Sequence, residues 1–333
     1  MSEIVIERVS ADDGRILTLL RRHFREGAQA RQAWIYTGNP HGKALVWIAS
    51  EQGQDVALVS IFPRRVVVQA CRRPGALAGD CLVSPEARSP ELMARLHRTY
   101  TARLDALGLD VVFGPPRPEN IAGMQQAGFR QADRFRRWVR LLRGGLERKL
   151  RRLPGAAALA APALWLMERA VSVPTCGHTL EAEQLYGEDL DRLFDRVQHD
   201  HAAVCVRDAA YLRWRYLRAP HGRQQGFALR RGGELRGFAS CFVRQESLVV
   251  VDLLCPLHDR LPEIALQLLA ERAGRLGCTT VEMALAAPPV LHRRLLRCGF
   301  LPRERWSFLV AAAPGPLHER GAWLFTDGDQ DFD

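Results

Sequence analysis

The sequence predicts an α/β fold built twice in tandem, and three observations carry that reading. The chain has 333 residues, above the usual single-domain range, so two units of about 150 residues each are the starting expectation. The pattern W-x-Y-x3-P-H-G occurs at Trp34, Tyr36, Pro40, His41 and Gly42 and returns at Trp214, Tyr216, Pro220, His221 and Gly222, 180 residues later. Downstream of each copy, strand and helix periodicities follow one another in the same order.

Composition bounds the class. Apolar residues make up 47% and charged residues 25%, which suits a globular protein able to bury a core. The net charge of +10 raises nucleic acid as a partner, but the 47 basic residues include only Lys43 and Lys149 as lysines, and the arginines are spread along the whole chain. A nucleic-acid footprint clusters, so such a partner is disfavoured. The eight cysteines form no C-x-x-C pair and several sit in apolar runs, as in a reduced cytoplasmic protein. The N-terminal MSEIVIERVS has no apolar signal core, and no stretch reaches the roughly 18 apolar residues of a membrane span. A soluble, cytoplasmic protein is the expectation.

In the first half, residues 44–49 and 55–62 read as strands around the turn at Glu51 to Gln54; in the second, 226–230 and 235–243 flank Arg231 to Glu234. Both pairs are hairpins. Apolar strands follow at 77–83 and 248–254, each stopping before a proline, Pro85 or Pro256. Amphipathic helices come next, about 90–107 and 260–276, closed by Gly108 and Gly277. Each half then shows a strand (110–113; 279–284), a proline loop, a short helix ending in Ala127-Gly128-Phe129 or Cys298-Gly299-Phe300, and a last strand.

These signals divide the chain into 1–143, a basic and alanine-rich linker helix at 144–175, a second half at 176–320 and an acidic tail at 321–333. Within the linker, Arg148 to Arg152 lead into an apolar run to Met167 interrupted by Pro154, Gly155 and Pro162. An interdomain helix packed on one half is the simpler reading; peripheral contact of 148–167 with an anionic membrane surface is the alternative.

The element order, together with Leu82-Val83-Ser84-Pro85 before the long helix and the two Gly-Phe closures, resembles the GNAT superfamily of N-acyltransferases over residues 1–142 and 178–312. The resemblance implies two tandem GNAT-like domains, each a mixed, mostly antiparallel sheet flanked by helices. It implies a small-molecule thioester donor, acyl-CoA, as co-substrate, paired with the fourth strand, and an amine or hydroxyl acceptor; it implies no metal. Donor contacts then fall at Leu82, Val83 and Arg88 in the first half and Leu254, Cys255 and Arg260 in the second. The family's phosphate loop reads R/Q-x-x-G-x-G/A. Here Pro85 to Leu92 keeps the arginine and lacks both glycines, and Leu257 to Glu263 has two acids and no glycine. Ser89 and Asp259 read as helix caps.

GNAT chemistry needs a base, which points to Asp80 and Asp252 on the fourth strands. An acid amid apolar residues is either hydrogen-bonded structure or a tuned group in a cleft. If one half is active, the second, with Asp252, is preferred. Trp34, Tyr36, His41, Trp214, Tyr216 and His221 are buried anchors of a turn first and substrate contacts second. His199-Asp200-His201 with Cys205 matches no standard zinc spacing, and the terminal Asp327 to Asp333 run is read as a solvated tail. Two other functions suit the same fold: aminoacyl-tRNA-dependent transfer, and a non-catalytic binding or scaffold role.

Overall fold

A computed structural model describes residues 3–331 apart from 25, 151–155, 185, 221, 223 and 314. His221 therefore lies outside the described residues. The first half runs β1 (Ile4–Val9), α1 (Gly14–His23), α2 (Ala28–Arg31), a wider helical turn over Gln32–Thr37, β2 (Leu45–Glu51), β3 (Gln54–Val68), β4 (Cys71–Val83), α3 (Pro90–Thr101), β5 (Val111–Gly114), α4 (Pro118–Gln126) and β6 (Arg130–Leu141). Between β6 and the next strand lie α5 (Arg143–Leu150) and α6 (Ala156–Val171). The second half follows with β7 (His178–Ala182), α7 (Glu188–Val197), β8 (Ala203–Cys205), α8 (Ala209–Leu217), β9 (Gln225–Arg231), β10 (Glu234–Arg244), β11 (Ser247–Leu254), α9 (Leu261–Arg275), β12 (Thr280–Ala286), α10 (Pro289–Arg297), β13 (Phe300–Ala312) and β14 (Trp323–Thr326).

Local chemistry explains the repeated elements. Gln52 and Gly53, and Gly232 and Gly233, all take positive φ, the tight turn that matches the twist of a two-residue hairpin. Ser89 caps α3 by accepting from the Leu92 N–H at 3.1 Å, with Pro90 in the first turn. Asp259, by contrast, does not cap α9. It and Arg260 both turn left-handed, which places Arg260 at the cap with no side-chain hydrogen bond.

One sheet carries both halves, in the order β1-β2-β3-β4-β5-β13-β6-β12-β11-β10-β9-β7. The last strands are exchanged. β13 of the second half pairs antiparallel with β5 (Ala312↔Val111 to Leu309↔Gly114), and β6 of the first half pairs antiparallel with β12 (Leu141↔Thr280 to Arg136↔Leu285). β6 and β13 also pair with each other, so each half completes the sheet of the other about a pseudo-twofold relation.

The repeated motif lies on that relation. Trp34 and Trp214 stack with ring centroids 4.8 Å apart and planes 20° from parallel. Each indole N–H donates to the backbone carbonyl of the other tryptophan, at 3.2 Å in both directions. The same surface on both halves meets itself, as in an isologous dimer interface.

Candidate functional site

β4 and β5 are paired only where Gly75, Ala76 and Leu77 meet Val111, Val112 and Phe113. Beyond Leu77 the strands part, and among the described residues the β5 side of Ala78 to Val83 has no strand partner. On its other side β4 bulges where Gly79 and Asp80 face the single residue Ser60 of β3. Alternate backbone N–H groups of this stretch therefore point into open space. A cavity of about 210 Å³ fills the splay, lined by Gly79 to Leu82, by Arg88, by Pro116, Arg117 and Asn120 from the far lip, by His23, and by Gln330 and Asp331 from the end of the chain.

The second half starts alike and ends differently. β11 and β12 pair from Ser247↔Thr280 to Val250↔Met283, and β11 bulges as β4 does, with Val251 left over between Val250↔Cys241 and Asp252↔Ser240. The splay that follows is filled by the chain itself. β14 pairs antiparallel with β12 (Leu285↔Thr326, Ala286↔Phe325), and the helical turn Asp327–Asp329 lies on Asp252. Gly328 is needed there, because a Cβ would run into the Tyr216 hydroxyl; its carbonyl accepts from Tyr211 Oη at 3.1 Å and Arg215 Nε at 2.9 Å.

The two aspartates occupy corresponding places. Asp80 accepts from Arg31 (Nη2 to Oδ1, 2.8 Å; Nε to Oδ2, 3.1 Å) and from Tyr36 Oη at 2.7 Å. Asp252 accepts from Arg207 Nε at 3.0 and 3.1 Å, from Tyr216 Oη at 3.0 Å and from Thr326 Oγ1 at 3.1 Å. Asp252 is 1% exposed under the β14 segment, whereas Asp80 lies on the cavity wall. Burial beside these carboxylates raises the hydroxyl pKa of both tyrosines.

The terminal run is not a solvated tail. Trp323, Leu324 and Phe325 are buried, and the acids that follow meet buried arginines: Asp329 Oδ1 with Arg64 Nη2 at 2.6 Å, Asp329 Oδ2 with Arg207 Nη2, and Asp331 with Arg31, through Nη2 to Oδ2 at 3.0 Å and Nη1 to the carbonyl at 2.7 Å. Asp329 and Asp331 thus meet cations where they are desolvated, the condition for burying a charge. Asp331 differs from Asp80 in that Arg31 bonds only its Oδ2 side-chain oxygen. Burial, with Asp80 nearby, pushes its pKa up to about 6.

Of the remaining sequence candidates, Leu82 and Arg88 line the cavity, while Val83 is buried against β3. Leu254 and Cys255 are buried, the latter with its thiol pushed up to about 12 by burial. Arg260 borders a different pocket, with Arg231 and Arg236. His41 is structural: its ring stacks on Tyr211 at 5.3 Å, its Nδ1 accepts from the Arg65 N–H, and burial beside Arg64 lowers its pKa to about 2. Cys81 lines the cavity but burial raises its thiol to about 12, so it offers no thiolate. Sequence reasoning missed His23, Arg117, Asn120, Gln330 and Asp331. Among the described residues no group of three or more potential metal ligands forms, and no helix is long and apolar enough to cross a membrane.

No family model and no curated protein sequence matches the chain. Its structure matches solved ones closely enough to define the fold. A probable N-acyltransferase from Enterococcus faecalis V583 superposes with a TM-score of 0.68 at 12% identity, over 93% of this chain and 72% of that one. N-myristoyltransferase of Saccharomyces cerevisiae, solved with bound myristoyl-CoA and inhibitors, gives 0.57 at 13%, over 99% and 86%. A tandem GNAT protein from the clavulanic acid biosynthesis pathway gives 0.53 at 15%, over 94% and 99%. The chain has a tandem GNAT fold.

Proposed function

We propose that this chain is an acyltransferase that works in the cleft of its first half, moving an acyl group from a thioester donor of the acyl-CoA type to an amine or hydroxyl. The observation that carries the reading is the open β4 edge of that half, beside a cavity and a carboxylate, set against a second splay in which β14 pairs with β12 and the turn Asp327–Asp329 covers Asp252 of β11. Preference for the second half on sequence grounds gives way for this reason. A pantetheine-like arm is an extended chain with amides, and the free backbone groups of Ala78 to Leu82 suit it as another strand would.

Asp331 is the base in this scheme. Its Oδ1 takes the proton of the acceptor as the acceptor nitrogen or oxygen forms its bond to the thioester carbon. The carbon–sulfur bond breaks and the thiolate leaves; the proton on Asp331 then passes to solvent. Asp80 holds Arg31, and Arg31 holds Asp331, so Asp80 positions the base. The second half supplies both the supporting fold and the chain end that completes the site.

Donor turnover tests the proposal. With acetyl-CoA and a panel of amines, thiol release should rise through pH 6, since the base acts only when deprotonated. Asp331→Asn should lower turnover by about a hundredfold, within the usual range for a general base, and leave donor binding intact. Absence of donor binding at millimolar acetyl-CoA refutes the reading, and a fully active Asp331→Asn variant removes the assigned base.

A further inference from the structure

The mouth of the first cleft is basic, and its cations come from side chains on both lips. Arg88 projects from the β4 to α3 connection, Arg117 stands at the cap of α4 on the other lip, and His23 ends α1. All three line the same cavity, and the charges of Arg88 and Arg117 both act to lower the His23 pKa, after burial. Among the described residues neither guanidinium has an ion-pair or hydrogen-bond partner, although most arginines around this half do: Arg15, Arg31, Arg64 and Arg95 are all engaged. Glu119 also lines the cavity and is the acid nearest in sequence to Arg117.

The helix beside them offers little to an anion through its backbone. Pro90 has no N–H, and the Leu92 N–H is taken by Ser89. No glycine allows close approach between Pro85 and Leu92, and Glu86 and Glu91 stand exposed in the same stretch. An anionic group entering this mouth meets guanidinium donors before it meets backbone donors.

We propose that Arg88 and Arg117 form a side-chain clamp for a phosphate-bearing ligand across the mouth of the first cleft, in place of a backbone phosphate loop. The inference rests on the reading of that cleft as the donor site, and Arg117 is its distinctive element, since it sits on the lip opposite α3. Paired guanidiniums on facing walls suit a pyrophosphate, whose oxygens can be shared between them. Because both are solvent-exposed, the interaction is salt-sensitive.

Calorimetric titration of the full chain with coenzyme A, phosphate-free pantetheine and inorganic pyrophosphate separates the two claims. For Arg88→Gln and Arg117→Gln, coenzyme A affinity should fall roughly ten- to a hundredfold each, as expected for a charge-assisted hydrogen bond, while pantetheine affinity stays as in the unaltered chain. Arg117→Gln binding coenzyme A normally, or losing both ligands equally, overturns the clamp. If the unaltered chain binds neither coenzyme A nor pantetheine, the donor reading fails. The clamp then stands only if pyrophosphate binds in an Arg117-dependent manner, and falls if it does not.

Discussion

Tyr36 and Tyr216 hold equivalent posts 180 residues apart, each donating its hydroxyl proton to a buried aspartate. Removing one such donor leaves a desolvated carboxylate short of a partner, at a cost of about 1–3 kcal/mol. Tyr36→Phe and Tyr216→Phe should therefore each lower stability by that amount in urea unfolding. Trp34 and Trp214 explain why the motif carries a tryptophan at all: each is the other's stacking partner and hydrogen-bond acceptor. The motif was visible in the sequence, and the turn-anchor reading of its aromatics agrees with their burial. That the two copies touch was not visible, because periodicity orders residues within a segment and carries no information about which segments meet.

At the level of elements, the segment from β14 to Asp331 has the largest consequence. It closes the second splay, neutralises Arg64 and Arg207 through Asp329, and delivers Asp331 to the first cleft. Asp329→Ala leaves two buried guanidiniums without their shared carboxylate and should destabilise by about 3–5 kcal/mol, the range for breaking a buried pair. A loss below about 1 kcal/mol on urea unfolding contradicts this account. From the hairpin onward in each half, the strands and helices were legible from alternation, turn glycines and capping residues; β1, α1, α2, β7, β8 and α8, which precede the hairpins, were not. The terminal segment was not: its run of aspartates signals solvation unless the arginines that neutralise it are known, and Arg31, Arg64 and Arg207 lie more than a hundred residues away in the sequence. The same distance hid Asp331 from the site, and the exchange of β6 and β13 gave no local signal, since either strand has the same pattern wherever it pairs.

At the scale of the molecule, buried histidines set the response to pH. His41 is held near 2, and His97, His201 and His292 near 4, in each case chiefly by burial. An unfolded histidine takes up a proton near 6.5. These four stay neutral in the fold at pH 5, so their contribution to stability is present above 6.5 and declines as the pH falls, each by up to about 1.4 kcal/mol per unit. Asp327 and Asp331, raised to about 7 and about 6, act in the opposite sense, because the fold favours their protonated forms. The four histidines outweigh the two aspartates. Thermal melting should therefore occur at progressively lower temperature from pH 6.5 to pH 4.5; a constant or rising midpoint contradicts this balance.

Hydrogen exchange with and without acetyl-CoA tests the central claim, that the first half holds the donor and the second is closed by its own chain. Added donor should slow exchange at residues 78–82 of β4 and leave 251–254 of β11, already covered by the segment that follows β14, unchanged. Protection appearing at 251–254, or at neither stretch with donor present at millimolar concentration, would contradict it.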